Sequence, residues 1–266
     1  MNYKLDVPLS PKLEKYRDRI EATIKPYIEI TIENHEPANW WQSKFGGLPY
    51  LPKGFEYPKT PDGNWFFLLA QINFSEVPPL EGFPDRGILQ FYLPDDKLYL
   101  YGLSFDSGED IFQVLYFPQP DFNMENIITN YNFLPANIEC FPIWGCCSLQ
   151  FTKKYAPISD CDEGLTKILG EDFYQLLRED EEVWDDYMDL CVPGGHKIGG
   201  YHDSFQSHDA RPHCESDPYI LLFQMNSGGN DVIDILWGFG GVGNFFVKES
   251  ALKKLDFSDV IYEWDC

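Results

Sequence analysis

Two stretches of this chain carry one pattern at a constant offset of 153 residues, so whatever fold it adopts must give both stretches equivalent surroundings. Lys44-Phe45-Gly46-Gly47 recurs as Lys197-Ile198-Gly199-Gly200. Leu68-Leu69-Ala70-Gln71-Ile72-Asn73 recurs as Leu221-Leu222-Phe223-Gln224-Met225-Asn226, with no gap between the blocks. Carried further at the same offset, Gly87 falls on Gly240, and Leu89, Tyr92 and Leu93 fall on Val242, Phe245 and Phe246. The period is too long for a solenoid, whose repeats run about 20 to 50 residues, and it points to a duplicated domain-sized unit.

The residue types say what kind of unit. Aromatic side chains make up 17% of the chain, with 21 Phe and 16 Tyr, and they suit a pleated, half-buried surface better than a helix interior. Ile28 to Glu33 alternates strictly and predicts a strand. Apolar runs at Trp65 to Ile72, Ile88 to Leu93, Leu98 to Leu103, Ile111 to Phe117 and Phe141 to Phe151 predict further strands. They are separated by Pro, Gly and Asp clusters, the pattern of an antiparallel meander. Runs at Tyr219 to Met225, Val232 to Trp237, Asn244 to Lys248 and Val260 to Trp264 predict the second set, with a short helix around Ser250 to Leu255. Ser10-Pro11 reads as an N-cap followed by Pro at the first helical position of a helix ending before Pro26. An apolar stripe through Leu165 to Leu190 predicts a helical connector broken in two at Gly170. The expected fold is therefore α+β and β-rich, with mainly antiparallel sheets from an internal duplication with pseudo-twofold symmetry. The first unit runs over 30–160, the connector over 161–193 and the second unit over 194–266, all within one continuous body.

Charge excludes some partners. The net charge of −23 disfavours phosphate backbones and anionic lipid, so neither nucleic acid nor a membrane is expected. An acidic surface most often serves solubility alone, and a basic protein partner is the sharper reading. No N-terminal stretch reads as a secretory signal, and the odd set of seven Cys lacks any CxxC spacing. Reduced thiols in a cytoplasmic protein are the expectation, most of them filling the core.

Spacing argues against familiar reaction centres. His196, His202, His208 and His213, interleaved with Asp203, Asp209, Cys214 and Glu215, offer metal-binding types, but their spacing fits no common zinc pattern. Gly238 to Gly243 looks like a phosphate-cradling turn, yet Asn244 to Val247 reads as a strand where a helix is needed. No metal, no cofactor and no catalytic residue is assigned.

The repeated residues remain. In Lys-x-Gly-Gly two residues without Cβ stand beside a cation, which permits positive φ and reach toward an anionic group. Gln71 and Gln224 sit inside apolar strands, where an unpaired amide costs roughly 1 to 3 kcal/mol, so both must find partners, expected among backbone groups of the neighbouring loop. The candidate ligand-binding set is Trp40, Trp41, Lys44, Gly46, Gly47, Gln71, Lys197, Gly199, Gly200, Gln224 and Trp237.

At Ser43 to Pro49, Leu68 to Asn73 and Gly87 to Tyr92, then at His196 to Tyr201, Phe205-Gln206 and Leu221 to Met225, the chain resembles the YwqG-like family of bacterial proteins of unknown function. The resemblance implies the fold and a cytoplasmic bacterial setting. Phe239 departs from the acidic residue common in that family's turn after the second-unit Trp, which weakens a ligand role for that turn. Two functions follow as expectations. One is a non-enzymatic protein-binding module that uses the acidic surface and exposed aromatics, for instance to neutralise a basic toxin. The other is a small-ligand or enzyme site between the units, drawing on Lys44, Lys197, Gln71, Gln224 and Trp237.

Overall fold

The computed structural model describes residues 3–95, 100–102, 111–191, 194–206, 211, 212, 214 and 216–266. The first helix forms later than Ser10-Pro11 predicts. A 3-10 turn at Glu14–Tyr16 precedes α1 (Arg17–Thr23). Ser10 serves it only through its carbonyl, which accepts from Glu14 N at 2.9 Å, while its hydroxyl is buried with no partner. Ile20 on α1 packs with Leu165, Leu169 and Phe173 of the connector, so that helical layer has its own apolar core.

Most strands lie on the predicted runs, but short strands at Lys44–Gly46, His196–Gly199 and Gly228–Gly229 form where none is predicted. The strands are β1 (Lys25–Ile32), β2 (Lys44–Gly46), β3 (Phe66–Asn73), β4 (Ile88–Pro94), β5 (Gln113–Phe117) and β6 (Ile143–Ala156). After the connector come β7 (His196–Gly199), β8 (Tyr219–Asn226), β9 (Gly228–Gly229), β10 (Ile233–Ile235), β11 (Val242–Lys248) and β12 (Val260–Asp265). The predicted strand at Leu98 to Leu103 falls partly outside the described residues, and Leu100–Gly102 form a 3-10 turn instead. The connector breaks at Asp180 as well as Gly170, giving α2 (Gly164–Leu169), α3 (Glu171–Glu179) and α4 (Glu181–Cys191). A last short helix, α5 (Glu249–Leu252), joins β11 to β12.

The main sheet runs β12-β11-β8-β7-β1-β6-β2-β3-β4-β5, antiparallel throughout, and curls into a nearly closed barrel. Its order is a palindrome about the β1–β6 pair. β1 does not pair with β2, its neighbour in sequence, but with β7, while β6 pairs with β2. Each half of the chain thus lends its first strand to the other half. Separating the halves would strip a paired edge from both.

The ladders within the halves match. Lys44 faces Gln71 and Lys197 faces Gln224. A bulge interrupts β3–β4 at Leu69 and β8–β11 at Leu222. The third strand, however, shifts by one residue from the constant offset: Gln90 faces Gln71, but Asn244 faces Gln224. Phe91 therefore corresponds to Phe245 and Tyr92 to Phe246. A one-residue slip would turn every side chain to the wrong face, so the buried amides fix this register and the turn absorbs the extra residue.

Phe91 and Phe245, matching residues of the two halves, meet inside the barrel at 4.8 Å between ring centroids, with Phe223 stacked on Phe91 at 4.7 Å. Trp237 lies in this same core, against Tyr101, Tyr262 and Trp264. Both β3 and β4 are buried on both faces, because loops carrying Trp40, Tyr50 and Tyr131 cover the side turned away from the barrel.

Candidate functional site

Each Lys-x-Gly-Gly is a short strand that ends on two left-handed glycines, with φ of +65° and +70° at Gly46 and Gly47 and +70° and +74° at Gly199 and Gly200. A Cβ on Gly46 would lie 2.3 Å from the Gly145 carbonyl oxygen of β6, so no side chain fits there. The sharp exit lets the chain fold back over the lysine and brings the next residues onto the glutamine.

That fold-back builds the same hydrogen-bond network in both halves. Gln71 Oε1 accepts from Tyr50 N at 2.7 Å, and its Nε2 donates to the Gln42 and Trp40 carbonyls at 2.8 and 2.9 Å. Gln224 Oε1 accepts from Asp203 N at 2.8 Å, and its Nε2 donates to the Gly195 carbonyl at 3.1 Å. The facing amides follow suit: Gln90 donates to the Tyr50 carbonyl at 2.7 Å and Asn244 to the Asp203 carbonyl at 2.9 Å. Before each lysine a side chain accepts from the asparagine N–H that ends the second strand. Ser43 Oγ takes Asn73 N at 2.8 Å, and His196 Nδ1 takes Asn226 N at 3.2 Å. His196 is therefore a neutral acceptor, and burial pulls its pKa down to about 4. The glutamines' partners include backbone groups on either side of the Gly-Gly turn, as expected, and also side chains: Gln90 Nε2 donates to Gln71 Oε1 at 2.8 Å, and Gln224 Nε2 donates to Asn226 Oδ1 at 2.9 Å.

The networks differ in one side chain. Tyr50 and Asp203 occupy the matching position, held by the same two backbone bonds. Asp203 Oδ2 turns back to accept from Lys197 Nζ at 2.9 Å, Gly194 N at 2.9 Å and Gln224 Nε2 at 2.7 Å. Tyr50 points away, its hydroxyl accepting from Asp121 N at 2.8 Å and its ring lying edge-on to Phe117.

Among the described residues Lys44 consequently has no carboxylate partner. Its side chain is 3% exposed, its Nζ donates to the Leu48 carbonyl at 3.0 Å, and the Trp40 ring centroid lies 5.9 Å away. Burial lowers its pKa to about 8, against the smaller opposing pull of Cys146 and Glu76. Burial likewise pushes the Cys146 thiol up to about 11. At neutral pH the pair is mainly an ammonium beside a thiol.

Lys44 lines a cavity of about 510 Å³ with Trp40, Leu48, Met124, Cys146 and Glu36. A volume of this size accepts a small organic molecule. The space beside Lys197 is only about 10 Å³. A second cavity of about 600 Å³ shares Gly47 and Leu48 with the first and is walled mainly by apolar groups, among them Phe67, Leu68, Leu134, Ile138 and Phe141.

The pattern carried by these residues matches a family model described as Domain of unknown function (DUF1963) over residues 43–266. The chain belongs to this family. The DUF1963 match starts at Ser43 and takes in both lysines, both glutamines and the two backbone-held residues, Tyr50 and Asp203. No curated protein matches the chain.

Within this DUF1963 chain the structure gathers only part of the predicted set. Trp40, Lys44 and Gly47 line one cavity, Gly46 lines the next, and Gln71 anchors their loop from beneath. Trp41 packs on Phe122 at 5.2 Å and is half-buried, as is Trp40, so these aromatics are less exposed than the sequence suggests. Lys197, Gly199, Gly200 and Gln224 form the closed counterpart in the other half. β1 and β6 separate β7 from β2, so the two lysines do not converge on a common cleft, and Trp237 joins neither group. His202 is buried with its ring edge-on to Phe246, and Asp203 serves Lys197, whereas His208, Asp209, His213 and Glu215 lie outside the described residues. All seven cysteines are free, but only Cys147, Cys161 and Cys191 are buried, fewer than core filling implies. Among the described residues no helix is long and apolar enough to cross a membrane.

Sequence reasoning missed Leu48 and Glu36, which lie close to Lys44 along the chain, and Cys146, which β6 brings to the site through its pairing with β2. It also missed the Tyr50–Asp203 difference, although the constant offset places these residues opposite one another.

Proposed function

We propose that this protein binds a small molecule in the cavity at Lys44, with the ammonium as its polar anchor and Trp40, Leu48 and Met124 as its apolar walls. The observation that carries the reading is a buried lysine, unpaired with any carboxylate among the described residues, that lines a cavity of about 510 Å³. An ammonium withdrawn from water loses several kcal/mol of solvation unless something replaces it. One carbonyl is a partial replacement. The site draws on the first half together with Cys146 of β6, the strand that pairs with β2.

The palindromic strand order and matching networks support descent of the two halves from one five-stranded unit. The motifs around Lys44 and Lys197 favour a YwqG-like bacterial member of the family, and the free cysteines fit a cytoplasmic setting. A ligand-observed NMR screen of neutral, anionic and cationic fragments tests the proposed function against the wild type and Leu48→Trp, which fills the cavity rim. Fragments held by the wild type and released by the variant support it. No binder of any charge, or equal binding to both proteins, sinks it.

A second reading, a module for a basic protein partner, is favoured by Trp184, which is exposed on α4 among Glu181, Glu182 and Asp185. Retention of such a partner that falls with salt and with Trp184→Ala supports it. Retention indifferent to both removes it.

A further inference from the structure

The two halves hold their lysines in one framework and treat them differently, and this difference names the ligand. Building on the reading that the Lys44 cavity binds a small molecule, we propose that the ligand presents a single carboxylate to Lys44, supplying from outside the group that Asp203 supplies to Lys197 from within.

The second half is the template. There three donors converge on one carboxylate oxygen: Lys197 Nζ, Gly194 N and Gln224 Nε2, all within 2.9 Å. In the first half the matching backbone and amide donors are already engaged. Trp41 N donates to Asn39 Oδ1 at 3.2 Å and Gln71 Nε2 donates to the Trp40 carbonyl at 2.9 Å. Lys44 alone is left without an anionic acceptor, because Tyr50 stands where Asp203 stands. An ammonium has three N–H donors, and Leu48 takes one. Lys44 also lines the cavity, so the proposed carboxylate meets it from that side rather than in the seat that Asp203 occupies.

The lining selects the kind of carboxylate. Glu36, an exposed residue of the cavity lining, repels a second negative charge, which disfavours dianions such as hydrogen phosphate. Trp40 and Met124 offer an aromatic face and a polarizable thioether to an apolar body. An aromatic monocarboxylate combines both features.

Isothermal titration and thermal shift with benzoate, benzyl alcohol and inorganic phosphate, on the full chain at pH 7, test this. Benzoate is expected to bind the wild type at least tenfold more tightly than either comparison compound and to lose at least tenfold in Lys44→Met. Tyr50→Asp, which gives the first half the residue of the second, is expected to lose benzoate binding while keeping its far-UV circular dichroism. Should Tyr50→Asp fail to fold, Lys44→Met carries the test alone. Benzyl alcohol or phosphate binding as tightly as benzoate, or benzoate binding unchanged in Lys44→Met, overturns the carboxylate assignment while leaving small-molecule binding intact. If benzoate fails on a wild type that the fragment screen shows binding other compounds, the inference is wrong and the functional reading stands.

Discussion

Lys197 Nζ donates to Asp203 Oδ2 at 2.9 Å in a buried pair, and the residue matching Asp203 in the other half, Tyr50, leaves Lys44 with a carbonyl in place of a carboxylate. Two lysines in one framework thus carry opposite electrostatic debts. Lys197 is neutralised inside the fold. Lys44 is buried against one carbonyl.

Substituting the two lysines should therefore shift stability in opposite directions. Lys197→Met strands the buried Asp203 carboxylate and is expected to cost about 3 to 5 kcal/mol. Lys44→Met removes a buried charge that lacks a counterion and is expected to be neutral or stabilising, by up to roughly 3 kcal/mol. Urea unfolding of both variants at pH 7 checks this. The same sign for the two would mean the lysines are not in different states.

The Lys44 contribution depends on pH with a definite sign. Its folded pKa of about 8 lies below the ordinary lysine value of 10.5, so between these limits the unfolded chain holds more protons and stability rises with pH. The burden of the buried charge is full below about pH 8 and is relieved as pH climbs toward 10.5. The gap between wild type and Lys44→Met should consequently be widest near pH 7 and shrink by pH 10. Paired urea midpoints at the two pH values measure it, and a gap that grows with pH contradicts the assignment. The buried tyrosines and thiols act oppositely, but they are common to both proteins and cancel.

His196 places a second slope on the acid side. Its folded pKa of about 4 lies below the usual 6.5, so the unfolded chain takes up the proton first as pH falls. Stability attached to this residue is whole above about pH 6.5 and is lost progressively toward pH 4, roughly 3 kcal/mol in all. His196→Asn keeps an acceptor for Asn226 N and removes the titration, so its stability should fall less between pH 7 and pH 5 than that of the wild type. Equal slopes would show that the imidazole does not titrate in this way.

The glycine at the end of β2 is set by contact as well as by conformation. Gly46→Ala meets both a left-handed φ and the Gly145 carbonyl at 2.3 Å, whereas Gly54→Ala meets a left-handed φ of +85° with nothing within 4 Å. The first should cost well over 2 kcal/mol and the second about 1 to 2, the ordinary price of a left-handed residue with a Cβ. Thermal unfolding of the two variants compares them. Equal losses would mean that β6 yields to the added methyl.

What could be read in the sequence was whatever depends on neighbours along the chain. Glycines with positive φ announce themselves in Lys-x-Gly-Gly because backbone conformation is local, and Gln71 and Gln224 require partners because a buried amide cannot go unbonded. Strand positions follow from alternation and turn residues, since a strand's two faces are written in its own order. The exchange of β1 and β6 between halves, the one-residue shift that sets Asn244 opposite Gln224, and the removal of Trp237 into the barrel core were decided only in three dimensions. So was the fate of the two lysines. Whether a buried ammonium is satisfied depends on which side chain reaches it through space, and Tyr50 and Asp203, fixed by the same backbone bonds, send their side chains to different places.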